Sequence, residues 1–143
     1  MSKKSPSLLI VDNDIDDIEF FLEAAASVTP KCHCVSATSG EKAFAYLDDN
    51  NNILPDFIFL DLNMPRMDGK KFLTELRKQR IFDSIKVIIY TTSNDPDIKT
   101  LTLLGADRII TKPRTFEGIC EAIALATGAT YSADPKMASG ALW

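Results

Sequence analysis

The most constraining feature of this sequence is a regular alternation of short apolar runs with longer amphipathic stretches. Apolar runs that favour strands lie at residues 7–12, 32–37, 56–61, 86–91 and 108–111. Residues 8–11, 57–60 and 87–90 are apolar without interruption. This continuous pattern is typical of strands that are buried on both faces of a sheet.

The stretches between these runs carry apolar residues at helical spacing. They span residues 16–28, 40–48, 69–79, 96–104 and 116–127. Five strands alternating with five helices predict an α/β fold, in which helices cover both faces of a doubly wound, five-stranded parallel sheet. We place this domain at residues 7–127, after a disordered start at 1–6 and before a C-terminal extension at 128–143, in which Tyr131, Leu142 and Trp143 could dock on the body of the domain.

The length, charge and cysteine content of the chain argue against several functional classes. A chain of 143 residues with a formal net charge of -4 is one ordinary domain without a broad nucleic-acid footprint. It has no apolar run of the roughly 20 residues that a membrane helix needs, and its first residues do not form a signal peptide. Three cysteines favour a reducing cytoplasm. Residues 32–34 read Cys-His-Cys, but neighbouring strand residues alternate between faces, so this triplet does not predict a zinc site.

Polar residues follow the predicted strands at the point where each strand ends. Asp12 and Asn13 follow the first strand, Asp61 the third, and Lys112 the fifth, while Thr91 ends the fourth. Because the carboxyl ends of parallel strands meet at one edge of a sheet, these side chains are expected to converge there.

The chemistry of this set is that of phosphoryl transfer. Asp12 and Asp61 supply the carboxylates that Mg²⁺ prefers, and Asn13 adds an amide oxygen. A carboxylate such as that of Asp61 can itself attack phosphorus and form an aspartyl phosphate. Lys112 suits one phosphate oxygen as a point charge, and the Thr91 hydroxyl can donate to another.

Four segments together carry a family resemblance. They are LLIVDND at 8–14, DLNMPRMDG at 61–69, IIYTTS at 88–93 and GADRIITKP at 105–113. In this order and spacing the chain, over residues 6 to 127, resembles the receiver domains of response regulators, the CheY-like family. The resemblance implies a flavodoxin-like (βα)5 fold with strand order 2-1-3-4-5.

The resemblance also implies roles for individual residues. It assigns the phosphoacceptor to Asp61, the first of the paired metal-binding acids to Asp12, the metal-ligating backbone carbonyl to Asn63, the switch hydroxyl to Thr91, the phosphate-binding lysine to Lys112 and a cis peptide to the bond before Pro113. The cofactor implied by these roles is Mg²⁺.

Two positions depart from the family pattern. Asn13 stands where most relatives carry the second acid, so we expect weaker Mg²⁺ binding. Ile109 stands where many members carry an aromatic switch residue, so any output change should proceed by backbone rearrangement. Asp14 is interpreted as the N-cap of the first helix and not as a ligand.

The resemblance implies a phosphorelay function without an enzymatic one. A sensor histidine kinase or phosphotransfer protein would phosphorylate Asp61, and a downstream protein would bind the changed surface. Because only residues 128–143 follow the last predicted helix, we expect a stand-alone cytoplasmic regulator that contacts neither DNA nor membrane. The face formed by helix 4, strand 5 and helix 5 is a dimer face in this family.

Three alternatives remain open at this stage. A pseudo-receiver would share the fold but escape phosphorylation because Asn13 weakens the metal site. An aspartyl phosphatase would need a second acid where Asn63 stands. Flavodoxin-like cofactor binding is disfavoured, because the acidic loop after the first strand would repel a phosphate unless a cation intervened.

Overall fold

A computed structural model describes residues 5–93 and 96–131 of the chain. Strands and helices alternate along it: β1 (Ser7–Val11), α1 (Ile15–Val28), β2 (His33–Ala37), α2 (Gly40–Asp48), β3 (Phe57–Leu60), α3 (Gly69–Arg77), β4 (Lys86–Thr91), α4 (Ile98–Leu104), β5 (Arg108–Thr111) and α5 (Phe116–Thr127). The strands form one parallel sheet with the order β2-β1-β3-β4-β5. The predicted fold class and strand order are confirmed.

The uninterrupted apolar runs are explained by two hydrophobic clusters, one on each face of the sheet. Leu9 of β1 and Ile58 of β3 belong to the cluster under α2, α3 and α4. Their neighbours Ile10 and Phe59 belong to the opposite cluster, under α1 and α5. Because side chains alternate along a strand, a strand covered on both faces needs apolar residues at every position.

Each of the five α-helices begins with a side chain that caps it. The oxygen of the N-cap residue accepts a hydrogen bond from a backbone N–H of the first turn; these residues are Asp14, Ser39, Asp68, Asp97 and Thr115. Such caps satisfy N–H groups that have no partner within the helix. The prediction that Asp14 caps α1 is confirmed.

The sheet register brings the ends of the strands into line. Val11 pairs with Leu60, so Asp12 and Asp61 follow directly on adjacent strands. The Asp61 backbone N–H donates to the Val11 carbonyl at 2.9 Å, and that of Lys112 donates to the Thr91 carbonyl at 2.7 Å. We call this side of the sheet the carboxyl edge.

Both predicted tails lie partly outside the described residues. The Pro6 carbonyl accepts a hydrogen bond from the His33 backbone N–H, so it contacts the sheet one residue before the predicted domain start. Tyr131 packs against the cluster under α1 and α5. Residues 1–4 and 132–143, including Leu142 and Trp143, lie outside the described part, so the domain limits stay a prediction. No helix among residues 5–93 and 96–131 is long and apolar enough to cross a bilayer.

One expectation is wrong for this structure. The described residues contain no cis peptide bond, so Lys112 and Pro113 are joined in the trans form. The trans form of such a bond is favoured by about 0.5–1 kcal/mol unless the surroundings select the cis form. Here the Pro113 ring packs over Gly118, where an added Cβ would lie 2.7 Å from the proline Cβ.

Candidate functional site

The centre of the carboxyl edge is the ammonium group of Lys112, which lies among three carboxylates. Its Nζ atom is 2.6 Å from Asp12 Oδ2, 2.9 Å from Asp17 Oδ2 and 3.9 Å from Asp61 Oδ1. The Lys112 side chain is 9% exposed. Burial alone would lower the pKa of Lys112, but the hydrogen bonds to Asp12 and Asp17 raise it above its ordinary value. The group is therefore a cation at neutral pH.

Asp12 is held by both of its carboxylate oxygens. Its Oδ2 accepts from Lys112, and its Oδ1 accepts from the Asp14 backbone N–H at 2.9 Å. The residue is fully buried, and its own N–H donates to the Ala37 carbonyl of β2. Strand pairing and the turn before α1 thus fix this carboxylate in place.

Asp61 is buried but less well compensated. Its side chain is 7% exposed, and burial, reinforced by the negative charge of Asp12, raises its pKa to about 6. Lys112 and the backbone N–H groups of Asn63 and Leu62 act in the opposite direction. The carboxylate is ionised at neutral pH, at a free-energy cost that its surroundings only partly offset.

The turn after Asp61 depends on a glycine. The Gly69 N–H donates to the Leu62 carbonyl at 3.0 Å, which folds the loop back on itself. A Cβ at position 69 would lie 2.5 Å from the Asp61 carbonyl oxygen. Gly69 therefore permits the close approach of α3 that holds the position of Asp61.

The other predicted site residues are less closely grouped. Thr91 is fully buried, and its Oγ1 accepts a hydrogen bond from the Ser93 N–H at 3.2 Å. Ile109 is half-buried against the cluster under α2, α3 and α4. Asn13 and Asn63 are exposed. The structure thus brings the carboxylates of Asp12 and Asp61 to 2.6 and 3.9 Å from the Lys112 ammonium.

An aromatic cluster forms the floor under Lys112. The Tyr90 ring centroid is 5.7 Å from Lys112 Nζ, close enough for a cation–π contact. The ring also packs edge-on against Phe21 and Phe59. Burial, followed by the charges of Asp17 and Asp12, raises the pKa of Tyr90. The phenol therefore stays neutral beside the site.

Asp17 was not predicted as part of this site. It is the third residue of α1, where an acidic side chain is ordinarily explained by the positive end of the helix. The sequence carries no separate signal that this carboxylate turns toward the site. The structure shows this carboxylate turned toward β5 and bound to Lys112.

The donor atoms at this edge suit Mg²⁺. The carboxylates of Asp12 and Asp61, with the backbone carbonyl of Asn63, are hard oxygen ligands that leave positions for water. Within residues 5–93 and 96–131 no group of three or more His, Cys, Asp or Glu residues is arranged to hold a metal ion.

Comparison with known proteins places this geometry in a family. The family model for the response regulator receiver domain matches residues 8–124. The chain belongs to the response regulator receiver domain family. Its relatives are response regulators of two-component systems, and magnesium is typical of these domains. Receiver domains act with histidine kinases or phosphotransfer proteins and are not, in general, catalytic enzymes.

Individual relatives show how far the similarity extends. The C4-dicarboxylate response regulator DctR of Bacillus subtilis is 29% identical over 86% of this chain and 53% of its own length. The response regulator Rcp1 of Synechocystis is 27% identical over 78% of this chain and 80% of Rcp1. The chain therefore spans about half the length of DctR, but most of Rcp1.

Solved structures of receiver domains superpose closely. The phosphorylated cyanobacterial phytochrome response regulator RcpA matches with a TM-score of 0.78 and 28% identity, covering 89% of this chain and 98% of RcpA. The Mn²⁺-bound form of Rcp1 matches with a TM-score of 0.77 at 23% identity, covering 90% and 99%, and shows the shared fold.

Proposed function

We propose that this chain accepts a phosphoryl group on Asp61, with Mg²⁺, from a histidine kinase or a phosphotransfer protein. The observation that carries the proposal is the grouping of a buried, destabilised Asp61 carboxylate with Lys112 and Asp12. An isolated surface aspartate would lack both the cation for the phosphoryl oxygens and the second carboxylate for a metal ion.

The transfer follows from the positions of these groups. An Asp61 carboxylate oxygen attacks phosphorus while the bond from phosphorus to the donor's histidine nitrogen breaks, and that nitrogen keeps the electron pair. Lys112 moves from 3.9 Å toward the new phosphoryl oxygens and neutralises part of their charge. Asp12, Asp61 and the Asn63 carbonyl would hold Mg²⁺, which supplies charge neutralisation at the same oxygens. The Thr91 hydroxyl moves to donate a hydrogen bond to one of these oxygens. This movement of Thr91 begins the conformational change that signals phosphorylation.

Output is assigned to a protein-binding surface. The face of α4, β5 and α5 exposes Leu103 to 79% and Leu125 to 61%, which suits a downstream protein or a second copy of this chain. The half-buried Ile109 lies on β5 within this face, in place of an aromatic switch residue. The proposal includes a cytoplasmic location, no direct DNA binding, and no chemistry beyond assistance to the chain's own phosphotransfer and dephosphorylation.

The alternatives have less support. A pseudo-receiver would have no use for the contact of Lys112 with Asp12, and the site retains three carboxylates although position 13 is an amide. A phosphatase would need an acid–base residue at position 63, where the exposed Asn63 stands.

Phosphorylation by acetyl phosphate tests the proposal. Intact mass would be measured for the wild type, Asp61→Ala and the matched control Asp16→Asn, each with and without millimolar Mg²⁺. We expect the wild type and the control to gain one phosphoryl group only with Mg²⁺, and Asp61→Ala to gain none. A wild type that stays unmodified with Mg²⁺ would instead support the pseudo-receiver.

A further inference from the structure

Lys112 donates hydrogen bonds of similar length to Asp17 and Asp12. The Lys112 Nζ atom is 2.9 Å from Asp17 Oδ2 and 2.6 Å from Asp12 Oδ2. Its distance to Asp61 Oδ1 is 3.9 Å, beyond hydrogen-bonding range. The ammonium is therefore drawn toward α1 and away from the carboxylate that the proposed function assigns to the phosphoryl group.

The local structure holds Asp17 in this position. The cap residue Asp14 accepts hydrogen bonds from the backbone N–H groups of Asp16 and Asp17, at 2.9 and 3.2 Å. This fixes the first turn of α1 beside the Lys112 side chain. Asp17 is 35% exposed, so its ion pair with the buried ammonium is only partly screened by water.

Asp17 also restores a charge that the site lacks at position 13. Asn13 is neutral, and its side chain is exposed. With Asp17 the site contains three carboxylates around one ammonium. The compensating carboxylate comes from the first turn of α1.

We propose that Asp17 is a positioning residue for Lys112 that balances metal binding against phosphoryl retention. The inference rests on the proposed function. When a divalent cation engages Asp12, Lys112 keeps a carboxylate partner in Asp17, so the cation does not compete with the lysine for Asp12 alone. When a phosphoryl group forms on Asp61, the same partner restrains the movement of Lys112 toward it.

The two roles predict effects of opposite sign for Asp17→Asn. The variant loses one negative charge near the site, and Lys112 is left with Asp12 as its hydrogen-bonding carboxylate. Both changes weaken Mg²⁺ binding, by roughly three- to tenfold. At saturating Mg²⁺ the freed Lys112 and the lower negative charge strengthen binding of an anion at Asp61 by a similar factor of roughly three to ten. A purely structural loosening of the site would weaken both.

The experiment measures the two affinities separately. Mg²⁺ is titrated into the protein while amide shifts are followed by NMR, and beryllofluoride, a phosphoryl mimic that binds carboxylates, is then titrated at saturating Mg²⁺. The variants are Asp17→Asn, the charge-preserving Asp17→Glu, and the matched control Asp16→Asn, which removes an acid from the same helical turn without touching Lys112. We expect Asp17→Glu to stay closer to the wild type than Asp17→Asn.

Each outcome decides the inference. Weaker Mg²⁺ binding with tighter beryllofluoride binding in Asp17→Asn, but not in Asp16→Asn, supports it. Weaker binding of both Mg²⁺ and beryllofluoride in Asp17→Asn, or equal affinities in the two asparagine variants, overturns the inference. The proposed function would remain intact. A wild type that binds neither ligand overturns the proposed function, and this inference with it.

Discussion

Two largely buried cations lie at opposite edges of the same sheet and are held in different ways. Arg77 of α3 lies near the amino ends of β4 and β5, and its side chain is 19% exposed. Its guanidinium donates to the carbonyls of Gly105, Phe82 and Ile85 at 2.9 to 3.2 Å. It also donates to Asp107 Oδ2 at 3.1 Å, an oxygen that accepts the Val87 N–H as well. At the carboxyl edge, the Lys112 ammonium donates hydrogen bonds to side-chain carboxylates, those of Asp12 and Asp17.

The difference lies in whether the partners can change. Backbone carbonyls are fixed by the strands and turns that carry them. The hydrogen bonds of Arg77 therefore hold α3 in one position near the amino ends of β4 and β5. The carboxylates around Lys112 can rotate, bind a metal ion or take a phosphoryl group. The side of the sheet at the amino ends of the strands, which we call the amino edge, thus contributes stability. The carboxyl edge keeps charges that an added ligand can rebalance.

The largest effect that we expect is loss of stability in Arg77→Met. Methionine keeps much of the apolar stem but leaves the Gly105 and Ile85 carbonyls without the guanidinium donor, whereas the Phe82 carbonyl keeps a hydrogen bond from a backbone N–H. We expect the free energy of unfolding, measured in urea, to fall by about 3 kcal/mol. The exposed Arg80 provides the matched control, and Arg80→Met should change stability by less than about 0.5 kcal/mol.

This result would also test the contrast between the two edges. Because the bonds of Arg77 do not involve the site, Mg²⁺ should stabilise Arg77→Met and the wild type by the same increment. A smaller Mg²⁺ increment in the variant would show that the two edges are coupled and would break the comparison.

A somewhat smaller effect is expected for Lys112→Met. Its removal leaves the buried Asp12 and Asp61 carboxylates without a cation, so the free energy of unfolding without Mg²⁺ should fall by about 2 kcal/mol. A divalent cation replaces the missing charge, so Mg²⁺ should stabilise this variant more than it stabilises the wild type. Urea unfolding with and without Mg²⁺ measures both quantities. Equal Mg²⁺ increments in Lys112→Met and the wild type would contradict the idea that the lysine's role there is chiefly electrostatic.

The two cations also show which parts of the fold and of the site can be predicted from the sequence. The strands were predictable because burial on both faces demands apolar residues at every position, as in β1 and β3. Lys112 and Asp61 were predictable because parallel strands bring their ends to one edge. Arg77 carries no comparable signal, since its acceptors are carbonyls of residues as distant as Gly105, and any residue type provides a carbonyl. Asp17 was missed because its place in the first helical turn already has an ordinary explanation.

The smallest effect in this series is a gain in stability for Asp61→Asn. The pKa of Asp61 is about 6 in the folded protein against an ordinary 3.8, so the folded state binds the extra proton between these values. The contribution of Asp61 to stability therefore falls as pH rises from about 4 to about 6 and stays low above that range. Asparagine removes this penalty, which is already net of the attraction to Lys112, so at about pH 7.5 without Mg²⁺ we expect a gain of about 1 kcal/mol. The gain should disappear near pH 4, where the wild-type carboxyl is protonated.

Urea unfolding at both pH values, with Asp16→Asn as the exposed control, measures the difference. A gain of equal size at both pH values would mean that it does not arise from the buried charge, and the carboxyl edge would then resemble the amino edge more than its carboxylates suggest.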